Sequence, residues 1–240
     1  MNPFCLRLLF LFMIGVFLHL KVNAQARVSI GIEQIAQRTA YLNRQVKLSN
    51  YELEPTWGRA TGIQVRMDWR KKIAIQSGLL ISQQGQKYSY NVADKDSLGN
   101  PITKYLYTRR FDLSYYKVPL TFHLKIPISS SFHAEVFSGP QFAFMQNAVY
   151  LLDADTIVRK NMSFQETFEP MDWQWINGLG IVGSPTPHFY FFISARMDIS
   201  MLDADNRKFK SSLWVPSKNF TAGISFGLRY QINPPKKVKI

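Results

Sequence analysis

Eight segments of this chain alternate apolar with polar residues, and several of them run 12 residues or longer. They cover about Arg27–Glu33, Trp57–Arg70, Lys72–Tyr90, Tyr105–Ile126, Ser131–Tyr150, Met171–Ser184, His188–Ser200 and Asn219–Ile232. A period of two is the mark of a β-strand with one face in an apolar medium. Strands of a soluble sandwich usually stop after about five or six residues. A strand that crosses a bilayer at a tilt needs about 9–11. The connections narrow the choice further. Short ones (Trp69–Lys72, Ile126–Ser131, Ser184–His188) alternate with long ones (Gln34–Thr56, around Asn91–Lys104, Leu151–Pro170, Met201–Lys218). Short periplasmic turns and long outer loops, with an even strand count, are the pattern of an outer-membrane barrel. The expected fold is therefore all-β: an eight-stranded antiparallel transmembrane β-barrel of the outer-membrane type.

The polarity of each face says which side meets lipid. In "YYKVPLTFHLKIPISSSFHAEVFSGPQFAF", Tyr116, Val118, Leu120, Phe122 and Leu124 alternate with Lys117, Thr121 and His123. The next segment sets Phe132, Ala134, Val136 and Phe142 against His133, Glu135 and Gln141. The apolar set is expected outside and the polar set in the lumen. Above Tyr115 the apolar parity changes to Phe111, Leu113 and Tyr115, which predicts a β-bulge at Tyr115/Tyr116. Trp57 and Trp69 share one face of one strand, and at about 3.3 Å per residue and a tilt near 40° they bracket an apolar band of about 25 Å. Trp173, Trp175 and Tyr230 complete the predicted interface aromatics.

The first residues read as a secretory signal peptide: Arg7, an apolar run of about 13 residues from Leu8 to Leu20, then Val22-Asn23-Ala24 before the expected cleavage. The run falls short of the roughly 20 residues of a spanning helix. The expected organisation is a signal peptide at 1–24, one barrel at 25–232 and a basic periplasmic tail at 233–240. Cys5 is the one cysteine, so the mature chain has neither disulfide nor thiol chemistry. The formal charge of +13 favours anionic counterparts. For an exported chain these are outer-membrane lipid headgroups and lipopolysaccharide phosphates rather than nucleic acid.

The run from Tyr115 to Asn147 resembles the central hairpin of the PorT-like outer-membrane β-barrel family of Bacteroidetes. Tyr116, Val118, Pro119 and Leu120 stand where that family carries a "Y-x-x-I/V-P-L" strand, and Gly139-Pro140 where it carries "G-P-x". "GLGIVG" at Gly178–Gly183 and "GISFGLRYQI" at Gly223–Ile232 resemble its later strands, and the Asp96–Asn100 turn also fits. The resemblance implies a bacterial outer-membrane barrel. One member gives the family its tie to a secretion system, but the motifs are those of barrel construction and carry no chemistry.

Candidate site residues follow from the inward parity. The lumen is expected to hold Arg27, Glu33, Arg66, Asp68, Lys117, His123, His133, Glu135, Arg196, Asp198 and Arg229, paired with one another because each buried charge is costly alone. An eight-stranded interior is just wide enough for side chains. His123 and His133 are symmetric about Ile128, which predicts that they face each other across the hairpin, with Glu135 next. Two imidazoles and a carboxylate can bind zinc, but a hydrogen-bonded plug is the expected arrangement. "LDAD" at Leu152–Asp155 and Leu202–Asp205, and "DKDSLGN" at Asp94–Asn100, alternate carboxylates as calcium loops do. In the last, however, Tyr105 stands where the loop's glutamate belongs, so solvated turns are expected.

No nucleophile–histidine spacing marks a catalytic site. The expectation is a structural or interaction protein of the outer membrane, without cofactor, meeting an envelope partner through its outer loops or periplasmic rim. The alternatives are a small-solute pore, a membrane-embedded hydrolase or acyltransferase, and a soluble lipocalin-like binder of an apolar ligand.

Overall fold

The computed structural model describes residues 27–42, 51–69, 72–96, 98–152, 157–159, 168–203 and 218–232. Among the described residues nine strands form: β1 (Arg27–Leu42), β2 (Tyr51–Trp69), β3 (Ile73–Lys95), β4 (Pro101–Pro127), β5 (Phe132–Leu152), β6 (Ile157–Arg159), β7 (Met171–Gly183), β8 (Phe189–Ser200) and β9 (Lys218–Gln231). All neighbouring pairs are antiparallel. The order β4-β3-β2-β1-β9-β8-β7-β5 closes through β4–β5, and the three-residue β6 pairs outside the ring with the far end of β5.

Following the paired residues once around the ring gives the stagger. Ile30 leads through Val65, Ser77, Leu120, Pro140, Trp175, Ile199 and Phe220 to Ala40, ten residues along β1 from the start. Eight strands with that stagger tilt by about 40° and enclose an interior that side chains fill. Both described termini, Arg27 and Ile232, lie at the end that carries the short turns, called the turn end; the opposite end is the loop end.

The outward faces carry the apolar girdle. Ile32, Ile63, Ile81, Phe122, Val136, Leu179, Ile193 and Phe226 are all at least half exposed or nearly so. In an aqueous protein such a surface would be an aggregation hazard; in a bilayer it is the correct solvent match. Trp57, Trp69, Trp173, Trp175 and Tyr230 are all exposed on it. The Trp175 indole donates to Ser138 Oγ at 2.9 Å. Tyr230 stacks on His188, with centroids 5.6 Å apart.

Four expectations are corrected. β1 does not stop at Glu33 but runs to Leu42. The stretch Asn91–Lys104 is no long loop: β3 and β4 extend to Lys95 and Pro101 and meet in a tight turn. There Gly99 holds φ +82°, a conformation open to glycine at little cost. The bulge lies on β5 rather than β4, because Ser114 pairs with Asn147 but Tyr115 with Met145, so Gln146 is the extra residue. β4 therefore keeps its parity, and Leu113 and Tyr115 point into the barrel, each 1% exposed. The fourth correction concerns the β4–β5 hairpin. Pro127 pairs with His133, so the turn centres on Ser130 and not on Ile128.

Candidate functional site

Inward residues of β2, β4, β5 and β9 meet near the turn end. Glu135 is the centre. Its two oxygens accept from Arg66 Nη1 at 2.8 Å and Nη2 at 2.5 Å, a two-pronged pair between strands on opposite sides of the lumen. The same carboxylate lies 3.1 Å from His123 Nδ1 and 2.8 Å from His133 Nε2, and 3.9 Å from an Arg229 nitrogen. Arg66 Nε also donates to Asp68 at 3.0 Å, and Lys125 Nζ donates to the same oxygen at 3.0 Å. The two histidines do not face each other as the sequence symmetry predicts. His123 pairs with Phe137 and His133 with Pro127, because the turn is centred two residues later. They nevertheless converge on Glu135. His123 stacks on the Phe137 ring at 4.9 Å, and a Cβ on Gly178, the partner of Phe137 on β7, would collide with that ring. Glycine there makes room for the aromatic.

A second cluster lies nearer the loop end. Asp198 accepts from Arg196 Nε at 2.7 Å, from Lys117 Nζ at 3.1 Å and from Gln141 Nε2 at 3.1 Å. Arg196 also donates to Gln141, and Gln141 to Gln174 at 2.6 Å. Gln174 reaches Asp172 at 2.6 Å, and Ser200 donates to the same carboxylate. Lys117 is 1% exposed and Asp198 3%. Charges so enclosed persist only when paired and hydrogen-bonded.

Above these clusters the interior becomes partly apolar. Leu113, Tyr115, Ala143, Ala148 and Phe168 pack together, with Phe111 against them. Phe168 comes from the segment before β7, and its ring meets Phe111 edge-on at 6.1 Å. On the opposite wall Gln37 donates to Ser82 at 2.9 Å, Thr39 to the Gly85 carbonyl at 2.7 Å, and Asn219 to Gln84. Between the two charged clusters is a small cavity of about 20 Å³, lined by Glu33, Thr121, Ser194, Arg196 and Arg229 among others. That holds about one water.

Of the sequence-predicted lumen residues, Arg66, Asp68, His123, His133, Glu135 and Arg229 form the first cluster. Lys117, Arg196 and Asp198 form the second, and Glu33 is buried beside the small space between them. Arg27 is corrected: it has inward parity but sits at the open start of β1 and is exposed. Sequence reasoning passed over Lys125 and Asp172, though Lys125 shares the parity of Lys117 and His123, and Asp172 precedes the inward Gln174. Among the described residues no group of three or more His, Cys, Asp or Glu could hold a metal ion. Glu135, the carboxylate nearest the histidines, is occupied by Arg66. The Asp96 carboxylate of the "DKDSLGN" segment accepts from the Asn100 side chain at 2.9 Å and from the backbone N–H groups of Leu98 and Asn100. These bonds, led by the one from the Asn100 side chain, hold its pKa below the usual value. That carboxylate braces the turn. Residues 153–155 and 204–205 of the "LDAD" repeats lie outside the described residues.

A closed ring of eight tilted strands, apolar outside and packed with paired charges inside, defines an integral β-barrel of the bacterial outer-membrane type. The chain belongs to the outer membrane protein beta-barrel domain family, whose profile matches residues 20–206. Among solved structures it is similar to Ail, the attachment invasion locus protein of Yersinia pestis, in complex with the heparin analogue sucrose octasulfate. The identity is 14% and the TM-score 0.42, over 85% of this chain and 98% of that one. Neisserial surface protein A is similar at 10% identity and a TM-score of 0.42, over 84% and 96% of the two chains. The outer membrane protein OprG from Pseudomonas aeruginosa is similar at 10% and 0.39, over 87% and 95%. No curated protein matches the chain.

Proposed function

We propose that this outer-membrane barrel works as a structural or protein-interaction element and not as a channel or an enzyme. The observation that carries the reading is the filled lumen. Arg66 and Glu135 are clasped across its turn end, Lys117, Asp198 and Arg196 span its middle, and Phe168 packs into its loop end. A solute path would have to break paired buried charges. With the interior used for stability, binding falls to the surfaces beyond the membrane. The short turns are read as periplasmic, following the general pattern of such barrels. β3, β4 and β5 continue past the girdle as a sheet to which β6 adds an edge, and this is the surface proposed to meet an envelope protein.

The PorT-like resemblance of Tyr116–Leu120 and Gly139-Pro140 supports an accessory role in secretion or envelope assembly in a member of the Bacteroidetes. Mild cross-linking in native membranes, followed by purification, tests the reading. One defined envelope protein should be captured by the wild type and lost when the projecting β3–β4 hairpin is shortened. Capture of the barrel alone would contradict an interaction role.

A further inference from the structure

Outward from the barrel, the upper edge of the apolar girdle is interrupted at one place. Arg38 of β1 and Arg59 of β2 both point outward and are exposed. Arg38 pairs with Trp57, which is 72% exposed, and its guanidinium carbon lies 5.8 Å from the Trp57 ring centroid. Arg59 follows two residues after Trp57, so it is the diagonal neighbour of Arg38, at a typical separation of about 7–8 Å and somewhat less between the Cβ atoms. Arg59 Nε donates to Gln83 Oε1 at 3.2 Å, a bond that leaves its two Nη nitrogens uncommitted to Gln83. Spread over eight strands, the ten-residue stagger raises each rung by about 1.2 residues per strand. On that scale Arg38 and Arg59 stand within about one residue of the same height, level with Tyr116 and Trp173. Between this level and the short turns, no other Asp, Glu, Lys or Arg among the described residues faces outward.

We propose that Arg38 and Arg59 form a site for a phosphorylated glycolipid of the leaflet at the loop end. The partner's chemistry follows from three features. Two guanidinium groups able to converge on one point suit a phosphate, which arginine can bind through two parallel bonds. Below them, past Ala36 and Gln34 on β1 and Thr61 on β2, the outward face is apolar and open, with Ile63 59% and Ile81 53% exposed, which suits acyl chains and gives a soluble anion nothing. The exposed Trp57 lies where an amphipathic ring suits the boundary between headgroup and chain. A charge at a bilayer interface is inexpensive only when it reaches the headgroups, and here both charges are held in place on the barrel wall. The proposal rests on the loop end facing outward; the binding test below is independent of that orientation, which cysteine labelling tests separately.

The experiment uses the whole barrel in nanodiscs of zwitterionic lipid doped with purified lipid A, with the same lipid A after dephosphorylation, or with phosphatidylglycerol. Bound lipid is read by native mass spectrometry. Lipid A should be retained at least tenfold better than its dephosphorylated form and than phosphatidylglycerol. The Arg38→Gln/Arg59→Gln variant, checked for heat-modifiable migration, should lose that preference, while Arg38→Lys/Arg59→Lys keeps part of it. Inorganic phosphate should not displace the lipid. Equal retention of phosphorylated and dephosphorylated lipid by the wild type would overturn the site without recourse to any variant. Equal retention of phosphatidylglycerol would overturn the glycolipid and leave a site with no preference among anionic lipids.

Discussion

Glu135 on β5 and Arg66 on β2 face each other across the lumen and join through two hydrogen bonds of 2.8 and 2.5 Å, although 69 positions separate them in the chain. This pair ties opposite walls of the barrel, and the two histidines and Asp68 are arranged around it. Its removal leaves a buried charge without its main partner. Arg66→Ala should therefore lower stability by about 3–5 kcal/mol, with less loss where water enters the lumen. Arg66→Lys should recover only part, because a point charge cannot reproduce the planar fork. Urea unfolding of the folded barrel in detergent or lipid measures both. Membrane targeting should be unchanged.

The second cluster should show coupling rather than simple additivity. Asp198 is held by both Arg196 and Lys117, so losing either cation leaves the other. The Arg196→Ala and Lys117→Met single variants should each destabilise less than Arg66→Ala. Together they should depart from the sum of the single effects by about 0.5–3 kcal/mol. An additive double variant would show that the two cations act independently.

The contact between Gly178 and Phe137 gives a steric prediction. Gly178→Ala should destabilise the barrel by about 1–3 kcal/mol, as overpacking does. Phe137→Leu in the same chain should recover part of that loss by vacating the space. If Gly178→Ala is neutral alone, the ring does not lie against the β7 backbone.

Much of this was legible in the sequence, and two of the failures, the early end of β1 and the bulge placed on β4, share one cause. Wherever apolar meant outward, the segments were located to within a residue or two, as in β7, β8 and β9. The rule reverses near the loop end, because the interior there is itself a packed core. Ile35 of β1 points inward, 3% exposed, against Ala60 and Leu80, while Gln34 points out. The alternation therefore breaks at Gln34, and β1 reads nine residues too short. The same reversal at Leu113 and Tyr115 imitates a bulge on β4. The charged lumen set was readable from parity alone, but the pairing of Arg66 with Glu135 was not. It depends on the stagger of the whole ring and on a turn centred at Ser130, and no local pattern carries either.

Orientation is testable because Cys5 is the chain's only cysteine. In a Cys5→Ser background, a cysteine at Leu98, 84% exposed at the β3–β4 tip, should react with an impermeant thiol reagent on intact cells. One at Thr186, in the β7–β8 turn, should react only after the outer membrane is permeabilised. The opposite pattern would place the short turns outside.

Conductance in planar bilayers tests the filled lumen most directly. The wild-type barrel, reconstituted and shown to be folded by heat-modifiable migration, should give no stable, large conductance. Arg196→Ala should lower its unfolding midpoint and still give none. A steady wild-type current, with Arg196→Ala changing ion selectivity and leaving stability intact, would contradict the plug and make the lumen a transport path.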